Sequence, residues 1–261
     1  MGLLAVLAGG SASGCILIGP AGEEEPESIC LGAKTAVHHE PASKVFGGTT
    51  DPTVVPLESG QILAIGWFGQ CTGTLIADRW VLSAKHCPLT AADSFCIGEI
   101  PDSPSTCIPI AQVVEHPIAD LILAELVDDP RDHLPAIEPI PIMTETFDCD
   151  WLGRTAEAAG YGKTITGEVG VRNFTAEPIV DLTEDYIAID GQGRRGLCRG
   201  DSGGPVLVMN SEAEVRVAGA LSFGDISCRG RDDFTRMDRV QSWVFNHIDS
   251  VAVDPAHSVA P

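Results

Sequence analysis

Gly200-Asp201-Ser202-Gly203-Gly204-Pro205 is a run in which glycines flank a single hydroxyl on both sides. Such a backbone can approach a reacting carbonyl closely and point two N–H groups at the charge that develops there, because Gly200, Gly203 and Gly204 carry no Cβ to obstruct it. Ser202 is therefore a candidate nucleophile. A serine hydroxyl attacks poorly at neutral pH, so the reading requires a histidine to take its proton and a carboxylate to hold that histidine.

Upstream, the strand-like run Trp80-Val81-Leu82-Ser83-Ala84-Lys85-His86-Cys87 ends in a histidine bracketed by Cys71 and Cys87. Ala119-Asp120-Leu121-Ile122-Leu123-Ala124-Glu125-Leu126 places a carboxylate at the head of an apolar strand, where burial would be costly without a partner. His86 is thus the candidate base and Asp120 the candidate orienting group. The other six histidines lie in loops, polar stretches or near the termini.

The order His, Asp, Ser with these flanks resembles the trypsin/chymotrypsin-like serine proteases over residues 45–250. Val45-Phe46-Gly47-Gly48 after Lys44 resembles the N-terminus these zymogens acquire on cleavage. Gly160-Tyr161-Gly162 resembles their Gly-Trp-Gly turn, and Ser222-Phe223-Gly224 their substrate-pairing Ser-Trp-Gly strand. Phe234-Thr235-Arg236 and Val240–Phe245 resemble the closing strand and C-terminal helix. The resemblance implies an all-β fold: two six-stranded antiparallel Greek-key β-barrels followed by a C-terminal α-helix. The implied activity is endopeptidase hydrolysis through His86, Asp120 and Ser202, with an oxyanion hole from the amides of Gly200 and Ser202 and with Asp201 receiving the freed amine of Val45 after cleavage at Lys44. No cofactor and no metal are expected, and the partners implied are peptide or protein substrates and an activating protease, for a monomeric enzyme.

The specificity pocket departs from the trypsin pattern. Six residues before Ser202, where trypsins carry the Asp that binds Arg or Lys, stand Gly196 and then Leu197. Asp232 falls on the facing wall, an exchange similar to that in broad-specificity crab collagenase-like members. Asp232 then either restores a preference for basic residues or is a solvated loop carboxylate. Ser222, Phe223 and Gly224 complete the expected substrate contacts. Lys85, beside His86, points either inward or to solvent.

Composition agrees with this class. The chain has 261 residues, 44% of them hydrophobic, with 28 Gly and 18 Pro, which suits many short strands joined by turns. Gln61–Trp67, Thr72–Ile76, Trp80–Ser83 and Val215–Ser222 read as strands. A formal net charge of −21 argues against nucleic acid as a partner. The histidine precedes the serine, which excludes the α/β-hydrolase order, and no Cys-x-x-Cys pair supports a zinc site. A protease-like binding protein with a dead site is the competing class, and the presence of all three triad residues weighs against it.

Nine cysteines leave eight for bridges once Cys15, at the end of an N-terminal apolar run, is set aside. The family resemblance pairs Cys71 with Cys87 and Cys198 with Cys228. Cys96 and Cys107 are close enough in sequence to staple one hairpin, leaving Cys30 with Cys149, a pairing similar to the chymotrypsin arrangement that tethers a pro-segment. Four bridges imply an oxidising compartment. Residues 1–19 read as an export signal, 20–44 as a Glu- and Pro-rich pro-segment, 45–250 as the peptidase domain with its two halves meeting near 145–160, and 251–261 as a tail. Ala12-Ser13-Gly14-Cys15 loosely resembles a bacterial lipobox. The chain is therefore expected outside the cell as a secreted, periplasmic or outer-surface protein, with membrane anchoring through Cys15 as one alternative and an ordinary signal peptide as the other.

Overall fold

Strands β1 (Ile65–Trp67), β2 (Thr72–Ala77), β3 (Trp80–Ser83), β4 (Ser94–Ile97), β5 (Thr106–Glu115) and β6 (Ile122–Leu126) form the first of two closed antiparallel barrels, in the order β1-β2-β3-β6-β5-β4. The second contains β7 (Thr155–Gly160), β8 (Asn173–Leu182), β9 (Tyr186–Asp190), β10 (Pro205–Met209), β11 (Val215–Gly224) and β12 (Arg231–Arg236), in the order β10-β11-β12-β9-β8-β7. These come from a computed structural model, which describes residues 27–30, 48–100, 103–164, 167 and 169–248. In each barrel the fourth element in space is not the fourth in sequence, which is the Greek-key connection.

The strands form where apolar residues can reach a barrel interior. β5 alternates, with Ile108 and Ile110 buried and Pro109 and Ala111 exposed, whereas all five residues of β6 are buried. Phe95, Ile97, Ile108, Leu82 and Leu123 fill the first barrel, and Phe174, Ile187, Val206, Val217 and Phe234 fill the second. Helix α1 (Ser59–Leu63) precedes β1, the one-turn α2 (Pro130–His133) follows β6, and α3 (Met237–Ile248) follows β12. Met237, Val240 and Val244 of α3 are buried, the spacing of a single helical face.

One strand expectation fails in part. Gln61–Leu63 belongs to α1, and only Ile65–Trp67 of that run is strand. The cause is local: the Gln61 side chain accepts the backbone N–H of Glu58 at 3.1 Å, reaching back as a capping residue does, and a short apolar run does not itself distinguish helix from strand.

Disulfides join Cys30 to Cys149, Cys71 to Cys87, Cys96 to Cys107 and Cys198 to Cys228. The Cys96–Cys107 bridge lies directly across β4 and β5, where the two residues are register partners. Cys30–Cys149 ties the segment around Ile29, whose amide donates to the Leu182 carbonyl at 2.8 Å, to the second barrel.

Between the barrels, Tyr161 is buried and its hydroxyl donates to the Ile65 carbonyl at 2.9 Å. Burial pushes that phenol up to about 12, so it remains a neutral donor.

Candidate active site

β3 and β6 are register neighbours, with Ser83 opposite Ile122, so the turn after β3 and the loop before β6 emerge together. That brings His86 to Asp120. The Asp120 carboxylate accepts the His86 backbone N–H at 2.8 Å through Oδ1, and its Oδ2 lies 2.7 Å from His86 Nδ1. The Ser222 hydroxyl donates to the same Oδ2 at 2.6 Å. Burial alone would raise the Asp120 pKa, but the hydrogen bonds from His86 and Ser222 outweigh it and hold the group below the ordinary carboxylate value. An ionised Asp120 fixes Nδ1 as the protonated nitrogen, leaving a lone pair on Nε2, which has no hydrogen-bond partner among the described residues.

The serine turn is fastened across the barrel interface by one side chain. Thr72 donates its amide to the Ser202 carbonyl at 2.8 Å and its hydroxyl to the Gly200 carbonyl at 2.8 Å, while accepting the Tyr161 amide at 3.1 Å. The Ser202 carbonyl also lies 3.9 Å from Cys87 Sγ, which places the serine against the residue next to His86. Gly203 has φ +77°, and a Cβ there would sit 2.1 Å from Ser83 Oγ and 2.7 Å from the Ala84 nitrogen, so only glycine lets the turn approach the histidine loop this closely. The amides of Gly200 and Ser202 have no acceptor among the described residues.

Asp201 turns away from the cleft into the second barrel. Its carboxylate accepts the Gly162 amide at 2.7 Å and the Cys198 amide at 2.8 Å, with no cation beside it among the described residues. Burial pushes it up to about 6 despite those two donors. A Cβ on Gly160 or Gly162 would meet this carboxylate at 2.1 or 2.3 Å, so the Gly-Tyr-Gly run is shaped around Asp201.

Beside Ser202 opens a cleft of about 340 Å³, lined by Leu197, Ser222, Phe223, Gly224, Ile226 and Asp232 among others. Gly196 is not in its lining and packs instead against the Cys228 carbonyl. Asp232 is only 1% exposed. Its Oδ2 accepts the Leu197 amide at 2.9 Å, whereas Oδ1 is buried without a partner, lodged where a Cβ on Gly224 would be 2.1 Å away.

The family model described as Trypsin matches residues 49–244. The chain belongs to the trypsin family. It is 25% identical over 239 residues to the "CLIP domain-containing serine protease HP8" of Bombyx mori, covering 71% of this chain and 63% of that protein. It is 26% identical over 230 residues to "Serine protease filzig" of Drosophila melanogaster, covering 73% of this chain and 13% of that protein. The chain thus spans less than two thirds of the length of both relatives. Both are insect proteins, which lends no support to a bacterial character, a periplasmic location or a lipid anchor.

Of the catalytic residues expected from sequence, the structure joins His86 to Asp120 and sets Ser202 against Cys87; Ser222, expected as a substrate contact, also donates to Asp120. It corrects one alternative: Asp232 is a buried residue of β12, not a solvated loop carboxylate, because β12 is flanked on both sides by β9 and β11. Lys85 points to neither alternative cleanly; its ammonium donates to the His116 carbonyl at 3.1 Å. Lys44, Val45 and Cys15 lie outside the described residues. Sequence reasoning missed Thr72 and the hydroxyl of Ser222 as positioning groups. The only sequence signal for Thr72 is its adjacency to Cys71, whose bridge partner flanks His86.

Proposed function

We propose that this chain is an extracellular serine endopeptidase that cleaves protein substrates through His86, Asp120 and Ser202. The observation that carries this is the Asp120 carboxylate, which orients His86 through both Nδ1 and the backbone amide while the Ser202 turn is fixed against the same loop. His86 Nε2 takes the proton of Ser202 Oγ as that oxygen attacks the peptide carbonyl. Gly200 and Ser202 donate their free amides to the oxyanion, and the leaving amine receives the proton from His86. Water, deprotonated by the same nitrogen, then releases the acyl group. The four disulfides support an oxidising compartment.

The domain plan that accompanies this reading has a signal in 1–19, a pro-segment in 20–44, the peptidase in 45–250 and a tail in 251–261. Cleavage after Lys44 by an activating protease frees the amine of Val45. Asp201 supports this step, because a buried carboxylate with two amide donors and no counter-cation among the described residues gains most from an arriving ammonium. The Cys30–Cys149 bridge keeps the pro-segment attached after cleavage. Asp232 on the pocket wall, beside Leu197, favours a basic side chain in the pocket alongside apolar ones.

Labelling with a serine-reactive phosphonate tests the reading directly. Wild-type protein cleaved at Lys44 should incorporate the reagent at Ser202 and hydrolyse peptides, and Ser202→Ala should do neither. Labelling that survives in Ser202→Ala places the nucleophile elsewhere. Full activity of an uncleaved Lys44→Ala protein refutes the zymogen step while leaving the triad intact.

A further inference from the structure

The second barrel, which supplies Asp232 to the pocket wall, buries another carboxylate. Glu177 on β8 is fully buried; its Oε1 accepts the Thr175 hydroxyl at 3.0 Å and its Oε2 has no partner. Asp232, on the pocket side, likewise has one oxygen satisfied and one buried oxygen orphaned. Asp232 is the register partner of Ile189, and Ile189 of Ile179, so Asp232 and Glu177, two residues before Ile179, share one face of the sheet. Two buried acids so placed, each with an orphaned oxygen, cannot both ionise at ordinary cost.

Among the surrounding charges one cation, Arg195, partly offsets the acids. Asp232 is repelled by Glu177 on β8, and by Asp201 of the serine turn and Asp233 of its own strand, all of them acids. Asp233 is matched by Arg231, whose guanidinium donates to it at 2.7 Å. Glu177 faces Arg195, whose Nη1 is committed to the Ala176 carbonyl at 2.8 Å, and Asp190, which opposes it. Burial is the main cause that raises both members. Among these neighbours no cation sits against Asp232, and the open side of its pocket is where a substrate side chain enters.

We propose that Glu177 and Asp232 act as one proton-sharing pair, with Glu177 the hidden specificity-determining residue: a Lys or Arg side chain enters the pocket by displacing one proton from the pair to solvent, and an apolar side chain enters with that proton in place. This inference rests on the reading of Asp232 as the pocket's charged wall. Basic substrates are then favoured as pH rises and apolar ones as it falls, from a single pocket. Glu177 never touches substrate. It sets the pH at which Asp232 becomes the anion that a basic side chain needs.

The test compares two peptide anilides, identical except for Arg or Leu before the scissile bond, on phosphonate-reactive protein across neutral pH. The ratio of their kcat/KM values cancels the protonation of His86, which both substrates share. That ratio should rise about tenfold per pH unit across the range in which the pair titrates. Benzamidine, a cation throughout this range, should tighten with the same slope, and its binding enthalpy should vary with the ionisation enthalpy of the buffer, reporting one proton released. Glu177→Gln removes the competing acid, so the ratio profile and the midpoint of the benzamidine profile should both move to lower pH. A merely structural role for Glu177 would change rates without moving that midpoint. A flat ratio, benzamidine binding without proton release, or an unmoved midpoint in Glu177→Gln each overturns the proposal. If the Leu substrate is cleaved and Ser202 labelled while neither Arg substrate nor benzamidine binds, the pair is refuted and the endopeptidase reading stands. If Ser202 is unreactive and neither substrate is cleaved, both fall.

Discussion

The two barrels share a strand order and differ in what fills them. The first is an apolar interior whose strands carry one buried carboxylate, Glu125 at 8% exposure, and that group is met by Arg79 and by Gln112 near the surface. The strands and turns of the second hold Glu157, Glu177, Asp201, Asp232, Asp233 and Arg236 in buried positions. The difference follows from what each half presents to the cleft. His86 and Asp120 need only a rigid frame, because their chemistry takes place on loops at the barrel mouth. The pocket and the serine turn, by contrast, are built from the second barrel's own wall, so their charges are set by groups inside it. Glu157 shows the same barrel binding chain as well as charge, since its Oε2 accepts the amides of Thr53 and Val54 at 2.7 and 2.6 Å.

If the second barrel depends on ionic groups where the first depends on apolar packing, the largest loss should come from Arg236. This guanidinium is 0% exposed, donates to Asp238 at 2.7 Å and to the Thr183 carbonyl at 2.6 Å, and joins β12 to the start of α3. Arg236→Met should cost about 3–5 kcal/mol in denaturant unfolding, since it leaves Asp238 as a buried acid without its partner. Combining it with Asp238→Asn should recover part of that loss. A cost under about 1 kcal/mol would mean the buried pair is not what holds the helix to the barrel.

A second consequence concerns pH. Burial raises both Glu177 and Asp232, so the native pair holds a proton into the neutral range, whereas the unfolded chain releases it near the ordinary carboxylate value. Over that interval the native state binds more protons than the unfolded state, so stability falls as pH rises, by at most about 1.4 kcal/mol per pH unit for one such group. Asp201 adds to the fall up to about pH 6. Asp120, held below its ordinary value, works in the other direction and is lost only in acid. Urea midpoints should therefore decline from mildly acid to mildly alkaline pH, and Glu177→Gln should make that decline shallower above the Asp201 range. A midpoint that climbs over the same interval contradicts a protonated interior.

The same division explains what the sequence made legible. Both barrels and the closing helix follow from motif order, and Ser202, His86 and Asp120 each sit in flanks that mark them. Thr72 and Glu177 carry no such marks. Thr72 acts through its amide and hydroxyl on Gly200, Ser202 and Tyr161, contacts made only when distant segments meet. Glu177 sits in Asn173–Leu182 as one acid between Ala176 and Pro178, and an isolated Glu in a strand normally reads as its solvent face. Gln61–Leu63 was ambiguous for another reason: its apolar run fits either period, and a single side-chain cap decides the outcome.

The smallest effect should come from repeating the Arg236 experiment in the first barrel. Arg79 donates to Glu125 at 2.6 Å, the same chemistry as Arg236 with Asp238, but its side chain is 33% exposed where that of Arg236 is 0% exposed. Water can replace a guanidinium at such a site, and Gln112 continues to donate to the other Glu125 oxygen at 2.6 Å. Arg79→Ala should therefore cost only about 0.5–1 kcal/mol, shrinking further in high salt. Urea unfolding of the variant at low and high ionic strength measures both. A loss approaching that of Arg236→Met, or one insensitive to salt, would show that the first barrel leans on its ion pair as heavily as the second, and the contrast between the two interiors would fail at its simplest point.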